Sequence, residues 1–491
     1  MNRKLEIASD TLISIAKLLC LYYVISLLGI IRAFAIIYLY CKLTEFLLKK
    51  YFNLEKVEPT DRVFLEKEIW ERYNVVIVLK MKDFSEDKMK EFLIERVVKK
   101  FPKFTIVLVE KFHNFFWKNM PLENAIRKIR NIQTEYIKDQ LEFLNYINIQ
   151  VNSPTDIYND YGYEFHLIKF NDNPKEGALV FKFDHAFSDG LGALSVIACI
   201  ADNYESSLFP RIMHKQNHFN YLNFSFIWKL ISDFISFPFL FYNCSRFVNP
   251  NHILNPQSVN RTGESIISIS KSYNFENLFD RCKKLNLSFN EFLIANFSAG
   301  LKRYMDSVRD SDYKKKQMSC FTIPKSLIVT IPLGNRGIPK CASEVNLQNV
   351  ANVAYVNLPL IDEPIKDYHI IKKSLNKSVG NIVQHFFNKI FTYVTLQILP
   401  KFVYEYLKEI FISHLDMCIS NVPGSKRTLL YSGSEVYDII PIVNSGITFC
   451  FVLMLTYNNN LRFQIAVDKV LGINPKDIID SLETTLDKAI N

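Results

Sequence analysis

The spacing of apolar and polar positions changes along the chain and sorts it into parts. Residues 18–41 are apolar almost throughout, a length and composition that suit a membrane anchor, while the one charge, Arg32, leaves a buried or interfacial helix as the alternative. From about residue 57 the apolar runs shorten to those of an α/β protein. A strand is predicted at 75–81, then a cap at Asp83-Phe-Ser-Glu86 and a helix whose inward face is Met89, Leu93 and Val97. Next come a strand at 106–109, a polar helical stretch over 121–145, and a hairpin of 163–170 with 178–184 around Asn-Asp-Asn-Pro-Lys-Glu-Gly.

Residues 211–260 interrupt this rhythm. Within 222–244, Phe224, Ile227, Trp228, Ile231, Phe234 and Ile235 share one helical face, with Lys229, Ser232, Asp233 and Ser236 opposite. The pattern suits a core helix and a membrane-surface helix equally well. Beyond it, helices are predicted near 275–286 and 289–305 and strands at 327–333, 351–358, 417–421 and 447–457. A turn at Asn458-Asn459-Asn460, a strand at 461–467 and a terminal helix after Asn474-Pro475 complete the pattern. The implied division is a membrane segment at 1–50, a first domain at 57–210, a linker at 211–260 and a second domain at 261–491.

With 491 residues, 49% hydrophobic and 22% charged, the chain is neither disordered nor a small stapled scaffold. Its net charge of +9 is spread out, without the basic stripe of a nucleic-acid partner. Nine cysteines, widely spaced and lacking a C-x-x-C pair, argue against a disulfide framework or a zinc site, and no metal is expected. Glu6 and Asp10 speak against a cleaved signal peptide. Lys42, Lys49, Lys50 and Lys56 outnumber Arg3, Lys4 and Lys17, a slim bias by which the bulk of the chain is expected on the cytosolic side of the membrane; in a eukaryote the expected membrane is that of the endoplasmic reticulum.

The sharpest chemical feature is Phe181-Lys-Phe-Asp184-His185-Ala-Phe-Ser188-Asp189-Gly190-Leu-Gly192. An apolar strand ends at a histidine, and a helix begins at Ser188 or Asp189, either of which suits a cap. Such a turn exposes a side chain between two rigid elements. An imidazole there is suited to take a proton from a hydroxyl near neutral pH. Asp189 either orients the ring or locks the loop.

Here the chain resembles the wax ester synthase/diacylglycerol acyltransferases of the CoA-dependent acyltransferase superfamily, whose hallmark is HHxxxDG. Asp184-His185-Ala-Phe-Ser-Asp189-Gly190 matches the second His, the Asp and the Gly, and Ser420-Asn421-Val422-Pro423-Gly424-Ser425 is the counterpart of Asn-Val-Pro-Gly-Pro. Weaker likenesses follow in order: Glu58-Pro59-Thr60-Asp61-Arg-Val-Phe64, Ser288-Phe-Asn290-Glu291, Pro332-Leu-Gly-Asn-Arg336 and Leu455-Thr-Tyr457-Asn-Asn-Asn-Leu461. Together they span roughly 57–485. Three positions depart from the family pattern. Asp184 replaces the first His, Glu291 an Asp, and Ser425 the last Pro. Asp184 raises the pKa of His185 if the two side chains approach.

The resemblance implies two CoA-dependent-acyltransferase-like α/β domains, each a mixed β-sheet flanked by helices, with a tunnel between them and an N-terminal membrane-associated helix. It implies an O-acyltransferase that moves a fatty acyl group from acyl-CoA to a lipid alcohol, a fatty alcohol or diacylglycerol, with no cofactor beyond acyl-CoA as co-substrate. The alternative is a non-catalytic lipid- or acyl-CoA-binding relative, motivated by Asp184. His185 is the expected general base with Asp189 beside it. Asp184, Gly190, Asn421, Pro423 and Gly424 are expected to shape the motif turns. Asn290 and Arg336 are candidate oxyanion or substrate contacts, with an ordinary helix cap the alternative for Asn290, and Lys314-Lys315-Lys316 reads first as a solvated loop and second as a contact for CoA phosphates. The expected partners are acyl-CoA, the lipid alcohol and a membrane, with the oligomeric state left open.

Overall fold

Two runs, 75–79 and 178–181, are apolar at every position, as strands covered on both faces must be. They form the centre of the first of two large sheets. The computed structural model describes residues 17–22, 29–65, 73–111, 114–158, 160–208, 224–243, 251–256, 259–310, 323–334, 336–337, 339–350, 352–397, 406 and 415–490.

The first half begins with helix α1 (Ile30–Phe52), strand β1 (Leu54–Lys56), helix α2 (Pro59–Leu65) and strand β2 (Asn74–Lys82). Helix α3 (Glu86–Leu93), β3 (Ile106–Lys111), β4 (Asn114–Asn119), α4 (Leu122–Arg130), β5 (Thr134–Ile137) and α5 (Gln140–Asn152) follow. The hairpin β6 (Tyr163–Phe170) and β7 (Glu176–Asp184) then leads into α6 (Gly190–Cys199). The second half runs α7 (Phe224–Asn243), β8 (Ser265–Ile269), β9 (Tyr273–Asn274), α8 (Phe275–Lys284), α9 (Phe289–Asp310), β10 (Ser326–Leu333) and β11 (Asn352–Pro359). After α10 (Pro364–Val379) and α11 (Ile382–Gln397) come β12 (Met417–Pro423), β13 (Leu429–Tyr431), β14 (Ser434–Val443), β15 (Cys450–Tyr457), β16 (Asn460–Asp468) and α12 (Pro475–Ile490).

The second sheet has the order β11-β10-β12-β15-β16-β8, with β9 also on β16, and its β10, β12 and β15 run parallel. One face packs on α9, α10 and α12 through Met417, Ile419, Val452 and Met454. The alternate residues Cys418, Phe451, Leu453 and Leu455 point the other way, into the core of the first half. The seam between the halves is therefore a packed apolar interface.

The first sheet has the order β13-β14-β2-β7-β6-β5. Strand β14 lies antiparallel to β2 from Val443↔Val75 to Glu435↔Lys82. A segment from within 261–491 thus completes the sheet of the first half, and the chain crosses the expected domain division. A smaller sheet, β1-β4-β3, packs Leu108, Phe115 and Trp117 with Leu65 of α2 and with Ala186.

Several elements differ from the pattern reading. The stretch expected as one helix over 121–145 is cut into α4, β5 and the start of α5. Thr134-Glu-Tyr-Ile137 pairs parallel with residues 167–170 of β6, and Asp139 caps α5 by accepting from Glu142 N at 2.8 Å. The strand expected from 447 starts at Cys450, because a turn closed by Ser445 and Thr448 precedes it. In the segment 18–41, residues 17–22 are helical, Gly29 sits at φ 79°, and α1 runs on past the apolar stretch to take in Lys42, Glu45, Lys49 and Lys50. Residues 23–28 lie outside the described residues. Among those described, no helix is long and apolar enough to cross a membrane. The expected membrane-crossing helix is thus not found there.

Candidate active site

His185 follows the last residue of β7. Its backbone N donates to Tyr73 O at 3.0 Å, one step beyond the Asn74↔Asp184 pair of the ladder. Ala186 and Phe187 plunge into the core, with Phe187 edge-on to Phe104 at 5.1 Å, so the partly buried His185 is held from both sides in sequence. Phe64 of α2 stacks on its ring at 4.1 Å between centroids. Tyr73 lies near the ring too, and burial pushes its phenol well above its ordinary pKa, which keeps it neutral.

Asp189 is the helix cap, in preference to Ser188. Its Oδ1 accepts from Gly192 N at 2.7 Å. Its Oδ2 accepts from Val350 N at 3.0 Å and forms a 2.6 Å ion pair with Arg336 Nη2. The Arg336 guanidinium also donates to the carbonyls of Asn346 and Gln348. Segment 336–350, which joins β10 to β11 of the second sheet, is thereby fastened onto the histidine turn of the first. The close fit requires Gly192, since a Cβ there would run into Ser188 Oγ and lie 3.0 Å from Arg336 Nη1.

The second motif meets the first at Gly190, where a Cβ would touch Val422 Cγ2 at 3.6 Å. Asn421 Nδ2 donates to Asn290 Oδ1 at 2.7 Å, which joins the end of β12 to the first turn of α9. Pro423 ends β12, and a Cβ on the following Gly424 would collide with Thr456 O of β15. The structure thus pairs Asn290 with Asn421 and Arg336 with Asp189, and brings the His185 and Asn-Val-Pro-Gly turns together. Residues 314–316 lie outside the described residues.

Each departure from the family pattern has a local partner. Asp184 Oδ1 accepts from Ala186 N at 2.8 Å. Glu291 reaches back to Ser288 N at 2.8 Å while Ser288 Oγ accepts from Glu291 N, a capping box that needs the longer acid. Ser425 Oγ bonds both Arg427 O and Arg427 N, which closes a turn.

Three residues to which the sequence assigned no role also belong to the site. Asp61, inside the Glu58-Pro59-Thr60-Asp61 likeness, is buried, and its Oδ1 accepts from both Asn349 N and Asn349 Nδ2 at 2.7 Å. Lys103 Nζ donates to Asp61 Oδ2 at 3.2 Å and to Leu347 O at 3.1 Å. Burial, the largest influence, lowers the pKa of Lys103, while Asp61 works against that shift. Asn349 Nδ2 donates further to His185 O at 2.9 Å.

Two mixed sheets in contact, with a histidine on a strand-to-helix turn at their seam, make a two-sheet mixed α/β protein whose fold has solved neighbours among acyltransferases and condensation domains. The WS/DGAT C-terminal domain matches residues 348–489, so the C-terminal part of the chain is similar to the wax ester synthase/diacylglycerol acyltransferases. The chain is 22% identical over 376 residues to wax ester synthase/diacylglycerol acyltransferase 2 of Arabidopsis thaliana, covering 70% of this chain and 75% of that one. The solved wax ester synthase/diacylglycerol acyltransferase of Marinobacter aquaeolei superposes with a TM-score of 0.55 at 16% identity, over 88% of this chain and 98% of that one. A starter condensation domain of rhizomide synthetase, solved with C8-CoA and Leu-SNAC, superposes with a TM-score of 0.55 at 10% identity, over 89% of this chain and 93% of that one.

Proposed function

We propose that this chain is an acyl-CoA-dependent O-acyltransferase that esterifies a lipid alcohol, giving wax ester from a long-chain fatty alcohol, triacylglycerol from diacylglycerol, or both. The observation that carries the reading is the placement of His185, partly buried at the seam and gripped by segment 336–350 from the other sheet. His185 takes the hydroxyl proton as the alcohol oxygen attacks the thioester carbonyl. The tetrahedral intermediate then expels the CoA thiolate as its C–S bond breaks, and the imidazolium returns the proton to sulfur or solvent. Acyl-CoA is a co-substrate in this scheme.

We assign acceptor delivery to a membrane surface, with acyl-CoA arriving from the aqueous side. This rests on α7, whose apolar face is turned outward: Ile227, Trp228, Ile231, Phe234 and Ile235 are exposed. Asp233, on the opposite side, is buried and accepts from Ile382 N at 2.9 Å and from Lys229 Nζ. Neighbouring α11 adds exposed Phe386 and Ile390, and packs on both α7 and α2, the helix that carries Phe64 to His185. An exposed apolar patch of this kind suits lipid.

The deciding experiment gives membranes containing the protein labelled acyl-CoA with a fatty alcohol, a diacylglycerol or a sterol in turn, and separates the lipid products. New labelled ester supports the reading. Acyl-CoA binding without turnover on any acceptor favours the non-catalytic relative.

A further inference from the structure

His185 is positioned by groups that converge on one buried carboxylate. Asp61 is 1% exposed and sits in the first turn of α2, three residues before Phe64, whose ring covers the imidazole. The same carboxylate holds Asn349 by its main-chain N and its side-chain Nδ2, and the second hydrogen of that Nδ2 reaches His185 O. Asn349 Oδ1 is buried with no partner among the described residues, so this amide is held by its donors alone. Neither aspartate nor alanine there would supply the bond to His185 O. Lys103 balances the buried charge and lies over the rings of Trp117 and Phe187, at 5.2 and 5.6 Å, which fixes it to the core under the turn. Asp61 therefore ties together α2, segment 347–349 and the His185 main chain.

We propose that Asp61 is a positioning residue for the acyl transfer: acting through Asn349 on the main chain of His185 and through α2 on the ring that stacks against it, it holds the imidazole in its reactive orientation. The inference rests on the reading of His185 as base. A misplaced base raises the barrier of the chemical step without changing how acyl-CoA is held.

The test measures kcat and KM for acyl-CoA on the full chain in membranes, for Asp61→Asn, Asn349→Ala, the double variant and His185→Ala. Each single positioning variant is expected to lose about tenfold or more in kcat with KM within about twofold. The double variant should fall no further than the worse single one, since both changes act on one linkage. Should Asp61→Asn fail to accumulate because Lys103 is left unbalanced, Asn349→Ala keeps the ion pair and decides alone. Wild-type kcat in Asn349→Ala, losses that multiply in the double variant, or a loss carried by KM would each overturn the inference. His185→Ala separates the two readings: if it stays active the base assignment fails, whereas if it is dead and Asn349→Ala is normal only the positioning role fails.

Discussion

The histidine turn and helix α7 each bury a carboxylate, with opposite consequences. At the turn, Asp189 and Asp61 are buried, and both are held by partners across the seam or under it, so the region is rigid and tied to the second sheet. On α7, Asp233 and Ser236 hold the helix to the body by accepting from Ile382 N and Asn381 Nδ2, Lys229 pairs with Asp233 within the helix, and the apolar stripe is left facing out. A two-faced pattern in a sequence identifies the faces but not which one is inside. That is settled by where buried polar groups find partners.

The sharpest way to break the comparison is at the turn. His185→Ala is expected to cut ester formation by about 10²–10⁴-fold, the range of a lost general base, with the melting temperature unchanged. Wild-type turnover above background hydrolysis would take His185 out of the chemistry.

Asp189→Ala removes a helix cap and strands Arg336, so a loss of about 3–5 kcal/mol is expected together with loss of activity, read by denaturant unfolding. An inactive variant of normal stability would move Asp189 from the loop into the reaction.

On α7, changing Ile227, Trp228 and Ile231 to Ser together is expected to lower turnover of bilayer-dissolved acceptors several-fold while sparing a short water-soluble alcohol. Stability should hardly move, since surface changes stay within about 0.5 kcal/mol each. Parallel loss on both acceptors with a lower melting temperature would contradict membrane delivery through this face.

The smallest effect is expected for Asn421→Ala, about 0.5–1.5 kcal/mol for one hydrogen bond. Asn290→Ala should match it, and the double variant should add nothing, as thermal melts of the three proteins would reveal.

The central strands were legible because they are apolar at most positions, and the hairpin because its turn residues are unambiguous. The site's two motif turns were legible as local strings. What escaped was non-local. Asp61 and Asn349 are 288 residues apart, and no periodicity links a helix start to a loop in the other half. Strand β14 was hidden because its alternation shifts between Val436 and Asp438 and because Pro441 reads as a strand breaker. The proline is tolerated since β13 covers only Ser434–Val436, which leaves the rest of that edge free of a ladder. For the same reason 121–145 read as one helix: β5 is a strand only because β6 is beside it.

The borrowed strand also sets a timetable. As the chain leaves the ribosome, β2 and β7 can pair early, yet the other edge of β2, a strand apolar from Val75 to Leu79, has no neighbour until the residues up to Val443 have been made. Through most of synthesis the nascent protein thus carries an open, sticky edge, the kind of surface that invites aggregation and holds chaperones. The segment that grips His185 is also late to emerge. The protein is therefore built as a half-finished frame, and the two sides of its histidine turn come together only near the end of its own translation.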